Sequence, residues 1–256
     1  MTEQSLRKYP YRVKIHLAGI PISLSLEYEE AYRYFASFYP RTSKVTSGLD
    51  DYACTDISLS ETDWEMLQKH GFKRCGQVEA SFLTSYCSDS LLQFSRCVVH
   101  AAAFRDAKKA WIIAADPGVG KSTQIRTLQG LYAGSFSVIC GDRTILELSD
   151  DDLVIAHPSP WNGKEFWGGA EAAPLAGIIC LRRGEVDRIT RLNIKQAVMP
   201  VYRSLIHSAI NGDVICKAAS FTEELLHRVP VWEFVNKDVP KSTRLLYQQI
   251  LSEESE

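Results

Sequence analysis

A phosphate-binding pattern is the clearest chemical signal in the sequence. Residues 115–123 read Ala-Asp-Pro-Gly-Val-Gly-Lys-Ser-Thr, which fits a phosphate loop at every position but the first, where alanine replaces glycine. Gly118 and Gly120 allow successive amide hydrogens to point at phosphate oxygens without an intervening Cβ. Lys121 supplies positive charge for the β- and γ-phosphates, and the Ser122 hydroxyl is a ligand for a bridging Mg²⁺. We therefore predict that ATP and Mg²⁺ bind at Pro117, Gly118, Val119, Gly120, Lys121, Ser122 and Thr123.

Two flanking residues are candidates for catalysis. His100 lies in the strand-like segment before the phosphate loop, and Asp142 ends the strand-like segment after it. Because neighbouring strand ends approach the nucleotide in such folds, both side chains could reach the γ-phosphate. A carboxylate there can bind a metal or accept a hydroxyl proton, so Asp142 is predicted in both roles. For His100, a purely structural role is an equal alternative.

A loop rich in tryptophan and glycine, from Trp161 to Gly169, provides two further candidates. If this tryptophan loop closes over the phosphates, Lys164 would stabilise charge in the transition state and Glu165 would add a metal contact. The alternative is a solvent-exposed loop in which the tryptophans only pack. Arg182 and Arg183, which precede Gly184, indicate a solvent-exposed turn.

The elements that must position these residues alternate between strands and helices, which is typical of an α/β architecture. The pattern predicts one apolar strand over residues 96–104, a turn at 106–109 and a second strand over 110–115. A helix over residues 122–131 and a strand over 137–140 follow. Apolar patterns predict further strands at 143–148, 153–156, 176–181 and 229–235, and helices at 195–210 and 240–252.

Residues 1–92 are predicted to form a small α+β domain, and residues 93–256 the nucleotide-binding, kinase-like domain. In the first, strands over 11–17 and 22–26 form a hairpin, residues 41–63 are mostly loops, and a helix begins near Thr62. This domain carries no recognisable chemistry. Its position favours capture of a substrate or partner through the hairpin edge.

Composition limits the partners and the compartment. The chain of 256 residues has 29 Lys and Arg against 31 Asp and Glu, a net charge of −2, so it lacks the basic excess typical of nucleic-acid binding. No apolar run approaches the ~20 residues of a membrane helix. The seven cysteines form no CxxC pair, which favours reduced thiols in a cytoplasmic protein and no zinc site.

Residues 95–250 resemble the catalytic domain of the HPr kinase/phosphorylase family, which is related to phosphoenolpyruvate carboxykinase. The resemblance rests on Val98-Val99-His100, the phosphate loop and Asp142-Arg143, and extends to 160–165, 174–179 and 188–192. Compact members of this group resemble serine kinases that tailor ribosomally made peptides, including lasso-peptide precursors.

The resemblance implies MgATP-dependent phosphorylation of a serine hydroxyl, with an acidic residue as base and the histidine tuning it. Asp142 and His100 occupy those positions. The sequence departs at Gly141, where the family typically has a second aspartate, and the phosphorylase signature is not evident. We predict a kinase acting on Ser or Thr of a peptide or small protein. A small-molecule alcohol as acceptor, a regulatory nucleotide-binding module without turnover, and a homo-oligomer all stay open.

Overall fold

The computed structural model describes residues 8–38, 55–106, 109–132, 134, 136–164, 167–208 and 211–251. The chain divides between Leu91 and Leu92 into two compact units. Within the described residues, no helix combines the length and the apolar character needed to cross a bilayer. The six described cysteines are free thiols.

The described part of the N-terminal unit contains three helices and a small sheet. Strands β1 (Tyr11–Leu17) and β2 (Ile20–Leu26) form the predicted antiparallel hairpin, and β3 (Thr55–Ile57) pairs parallel with β2. The helices are α1 (Glu29–Phe38), α2 (Glu61–Lys69) and α3 (Gly76–Leu91), of which the sequence analysis anticipated only α2.

Helix α2 begins earlier than predicted because Ser60, not Thr62, is the capping residue. The Ser60 hydroxyl accepts a hydrogen bond from the Asp63 amide, and the Asp63 carboxylate accepts one from the Ser60 amide. This reciprocal pair satisfies two donors that a helix start would otherwise leave without partners. The predicted loops over residues 41–54 lie outside the described residues.

The larger unit is a mixed α/β structure built on a sheet of nine strands. Its order is β4-β8-β9-β10-β6-β5-β7, with β12 paired to β10 and β11 paired to β12. The strands are β4 (Arg96–Val99), β5 (Ala101–Asp106), β6 (Lys109–Ala114), β7 (Phe136–Cys140), β8 (Thr144–Leu148), β9 (Val154–His157), β10 (Ala173–Arg183), β11 (Arg188–Leu192) and β12 (Val231–Asn236).

Helices cover both faces of this sheet. Strand residues alternate between faces, so Ala101 and Ala103 of β5 belong to one apolar cluster, and Ala102 and Phe104 to another. The first cluster is completed by α5 (Ile194–Ser204) and α6 (Gly212–Arg228), the second by α4 (Lys121–Leu131) and α7 (Val239–Leu246).

The predicted strand over residues 96–104 is wrong in one respect: it is broken at His100. Strand β4 pairs with β8, whereas β5 pairs with β6 and β7. The break is stabilised from outside, since the His100 amide donates to the Ser204 carbonyl at 2.6 Å and the Ile206 amide to the Val98 carbonyl at 2.8 Å. The histidine therefore lies at a bend between two strands rather than inside one.

Two helix predictions also need correction, and one helix is missing from the predictions. The helix predicted over 195–210 ends at Ser204, because the chain then pairs with β4 through a bridge between Leu205 and Val99. The α-helix predicted over 240–252 ends at Leu246 and continues as a single π-helical turn, Tyr247–Leu251. Helix α6 was not predicted at all.

Candidate functional site

The phosphate loop joins the carboxyl end of β6 to the start of α4. Gly118 has a φ of +79° and Gly120 a φ of +117°, values that favour glycine. Gly120 directly precedes Lys121, where α4 begins, so the free amides of the helix terminus belong to the same loop. This is the strand–loop–helix arrangement in which anions bind at a helix start.

Lys121 points back into the loop. Its side chain is 9% exposed, and its Nζ donates a hydrogen bond to the Ala115 carbonyl at 3.1 Å. Burial lowers the pKa of Lys121, although the negative charges of Asp142 and Asp116 oppose this shift. This contact uses only the main chain of Ala115. Alanine in place of glycine at the first loop position therefore preserves it.

His100 links the lysine to the carboxylate of Asp142. Its Nε2 lies 2.9 Å from Lys121 Nζ and 3.3 Å from Asp142 Oδ1. The structure thus brings together three residues that the sequence predicts as catalytic, from the bend after β4, the start of α4 and the end of β7. We refer to them as the Lys–His–Asp cluster.

Asp142 is ionised in this setting. Burial favours the neutral acid, but the hydrogen bond from His100 and the charges of His100, Lys121 and Arg143 outweigh it, so the pKa of Asp142 lies below its usual value. Arg143 Nε lies 3.7 Å from Asp142 Oδ2. An ionised carboxylate close to the ammonium group of Lys121 can orient a hydroxyl, accept its proton or bind a cation.

Gly141 lets the main chain after β7 lie close to the carbonyl oxygen of Asn162, an approach that a residue with a Cβ would prevent. A Cβ at this position would lie 2.5 Å from the carbonyl oxygen of Asn162. The Gly141 amide also faces Asn162 Oδ1 at 3.4 Å, and the Arg143 amide donates to the Trp161 carbonyl at 3.1 Å. The space that a second acidic side chain would need is occupied by the tryptophan loop.

The first residues of the tryptophan loop are hydrogen-bonded to the residues that follow β7. Trp161 and Asn162 are buried, and the side chain of Trp167 lies under the guanidinium group of Arg126 on α4 at 5.4 Å. The packing role considered for these tryptophans is therefore present. Lys164 is exposed, and its predicted role at the phosphates stays a prediction. Glu165, predicted as a metal ligand, lies outside the described residues.

The remaining predicted metal ligands fit Mg²⁺ in a nucleotide complex. Ser122 lies in the first turn of α4, next to Lys121, and offers a hydroxyl oxygen; Asp142 offers a carboxylate. Among the described residues no group of three or more His, Cys, Asp and Glu side chains could hold a metal. Mg²⁺ typically takes one or two protein oxygens and completes its shell with phosphates and water, so this donor set suits it.

Arg183 is a residue of the site that sequence reasoning missed. It ends β10, which runs parallel to β6, and its guanidinium group donates to the Val119 and Gly118 carbonyls at 3.2 Å each. The prediction of a solvent-exposed turn is therefore wrong, although the side chain is exposed. Only the strand order could have revealed the contact.

A cavity of about 460 Å³ adjoins the Lys–His–Asp cluster. His100 and the first residues of the phosphate loop form one side of it, and α5 and the carboxyl end of β10 form the others. Neither Lys121 nor Ser122 lines the cavity, so a molecule in it would contact His100 and residues 115–117 of the loop.

Comparisons with known proteins give little. No family model matches the chain, and no curated protein matches it. Among solved structures, an HPr(Ser) kinase/phosphatase from Coxiella burnetii is similar at 11% sequence identity with a TM-score of 0.36, over 62% of this chain and 99% of that chain. A likeness this weak carries no argument, so function must be inferred from the site itself.

Proposed function

We propose that the protein is an ATP-dependent kinase that transfers the γ-phosphate to a serine or threonine hydroxyl of a peptide or small protein. The observation that carries this proposal is the Lys–His–Asp cluster. In it the ammonium group of Lys121 and the carboxylate of Asp142 both lie close to Nε2 of His100. A nucleotide-binding module without turnover would use that carboxylate only to hold Mg²⁺, whereas a kinase also needs a group that takes the proton of the acceptor hydroxyl.

The chain's own groups account for binding of the phosphates. The amides of Gly118, Gly120 and Lys121 at the start of α4 can donate to the anion, whereas the Val119 amide donates to the Asp116 carbonyl; the Lys121 ammonium group neutralises charge on the β- and γ-phosphates. Ser122 and Asp142 would hold Mg²⁺, which when bound neutralises further phosphate charge. Arg183 holds the outer face of the loop by its carbonyls.

The carboxylate and the imidazole account for transfer. Asp142 orients the acceptor hydroxyl and takes its proton as the hydroxyl oxygen forms a bond to the γ-phosphorus. The bond from that phosphorus to the β–γ bridging oxygen breaks, and ADP leaves with the electron pair. His100 fixes the orientation of Asp142 through Nε2, and Lys121 stays with the phosphates throughout.

The test is phosphate transfer to serine-containing peptides, measured as a mass shift with MgATP. We expect transfer by the wild-type protein, loss of nucleotide affinity in Lys121→Ala, and loss of transfer with nucleotide binding weakened but still measurable in Asp142→Asn. Lys195→Ala, which removes an exposed lysine from α5, is the control and should behave as wild type.

Two outcomes would overturn the proposal. One is a wild-type protein that binds MgATP but phosphorylates no peptide hydroxyl. The regulatory module or a small-molecule acceptor would then take its place, depending on whether hydroxylated metabolites are phosphorylated. The other is an unchanged transfer rate in Asp142→Asn, which would place the base elsewhere.

A further inference from the structure

The cavity beside His100 has the features of a substrate site. Its volume of about 460 Å³ lies within the ~300–1,000 Å³ typical of ligand pockets. It borders the phosphate loop at Ala115, Asp116 and Pro117. Asp142 does not itself line the cavity, and the link between them is His100, which lines it and whose Nε2 lies 3.3 Å from Asp142 Oδ1.

The two arginines that line this cavity differ in their ion pairs. Arg182 is paired with Glu233 at 2.9 Å, and Glu233 also contacts Arg188 at 3.2 Å. Arg203, in the last turn of α5, lines the cavity without an ion pair among the described residues. Asp116, on the opposite side, acts electrostatically on Lys121. The cation that remains available to a ligand is Arg203.

The wall that carries Arg203 is also apolar, and its apolar surface continues outside the cavity. Met199 and Pro200 line the cavity on α5. Met199 is 53% exposed, and on the same helix Ile194 and Val198 are 45% and 37% exposed. Ile194 and Val198 are four residues apart and share a helix face. An acceptor longer than a metabolite could therefore bury side chains along α5.

We propose that this cavity is the acceptor site and that it takes a peptide with a carboxylate close to the hydroxyl residue. Arg203 binds the carboxylate, and Met199 packs against an apolar neighbour of the hydroxyl residue. This inference rests on the proposed kinase function. The carboxylate can belong to an Asp or Glu side chain or to the carboxyl terminus of the peptide, since a guanidinium group binds both alike.

Pairs of matched peptides test the inference. One pair carries Asp or Asn next to the serine, and a second ends at the serine as a free acid or an amide. The specificity constant kcat/KM for phosphate transfer is measured with wild type, Arg203→Gln and the control Lys195→Gln. Lys195 is a second exposed cation of α5 that does not line this cavity.

We expect the wild-type protein to prefer the acid of at least one pair by about tenfold or more, the usual value of a charge-assisted hydrogen bond. Arg203→Gln should lose this preference and Lys195→Gln should keep it, with MgATP affinity unchanged in both. The pair that shows the preference identifies the source of the carboxylate. Replacing Met199 with Gln should weaken transfer to peptides with an apolar neighbour more than to those without one.

An acid preference that survives in Arg203→Gln would overturn the inference while the kinase function stands, and so would the absence of any preference in wild type. Phosphorylation of small hydroxy acids but of no peptide would overturn the peptide class. If wild type phosphorylates no hydroxyl at all, the proposed function fails, and this inference fails with it.

Discussion

Nε2 of His100 lies 2.9 Å from Nζ of Lys121 and 3.3 Å from Oδ1 of Asp142. An imidazole nitrogen either carries a proton or offers a lone pair, so it cannot donate to the carboxylate and accept from the ammonium group at once. In the proposed kinase, a bound triphosphate would give Lys121 stronger acceptors. Nε2 would then be free to donate to Asp142, so nucleotide binding would set the histidine tautomer.

From this arrangement we expect His100→Ala to slow phosphate transfer less than Asp142→Asn. Losing a general base costs ~10²–10⁴-fold in rate, whereas losing the group that orients it costs less. Both variants should bind MgATP, which calorimetry can check. If His100→Ala proves as inactive as Asp142→Asn, the histidine is itself the base.

Arg183→Ala should weaken MgATP binding by about tenfold, because two exposed hydrogen bonds, worth ~0.7 kcal/mol each, hold the carbonyls of Gly118 and Val119 away from the anion. The free energy of unfolding should fall by no more than ~1–2 kcal/mol, since the side chain is exposed. Arg182→Ala is the matched control: it is the preceding residue and contacts Glu233 instead. Equal losses of affinity in both variants, measured by calorimetry, would contradict the role given to Arg183.

Gly141→Ala should lower the free energy of unfolding by ~1–3 kcal/mol, because the new Cβ would lie 2.5 Å from the Asn162 carbonyl oxygen. Gly130→Ala makes the comparison, since a Cβ there meets nothing within 4 Å and the residue lies inside α4. That variant should be more stable by up to ~1 kcal/mol. Urea denaturation measures both. A Gly141→Asp variant that is stable and faster than wild type would refute this account of the position.

Glu147→Gln should make the protein less stable at neutral pH by ~1–3 kcal/mol. Glu147 on β8 pairs with Arg96 on β4 and lies 2.6 Å from Nε2 of His157 on β9, so it joins three strands. Burial favours the neutral acid, but the hydrogen bond from His157 and the charges of Arg96 and His157 hold the pKa of Glu147 below its usual value.

The sign of the pH dependence follows from that lowered pKa. Above ~4.3, the value in an unfolded chain, the stabilisation is complete; it is lost as the pH falls through the lower folded pKa. The difference between wild type and Glu147→Gln in urea denaturation should therefore shrink in acid. Glu223→Gln, at an exposed position on α6, should show no such trend. A difference that is constant with pH would contradict the pairing.

The parts of the site that local chemistry determines were predictable from sequence. The phosphate loop has its own spacing, and Asp142 follows an apolar strand directly. The bend at His100 was not predictable, because no glycine or proline marks it and its hydrogen bonds come from residues 204 and 206. Arg183 depends likewise on the pairing of β10 with β6.

Other elements failed for different reasons. Strand β11 is polar and mostly exposed, so it has no apolar alternation to recognise. Helix α6 could have been found. Its buried residues Ala218, Phe221, Leu225 and Leu226 follow helical spacing, and Asn211 caps its start.

Main-chain hydrogen bonds connect the end of α5 to His100 and its neighbour Val98. The residue that ends α5, Ser204, accepts from the His100 amide, and two positions later Ile206 donates to Val98. A molecule that displaced α5 by binding at Met199 or Arg203 would therefore also displace the main chain at His100. In the proposed kinase, a peptide bound in the cavity would contact that wall, whereas a water molecule at Asp142 would not need to. Selection of the acceptor over hydrolysis of ATP would then depend on this main-chain connection as well as on how well the acceptor fits the cavity.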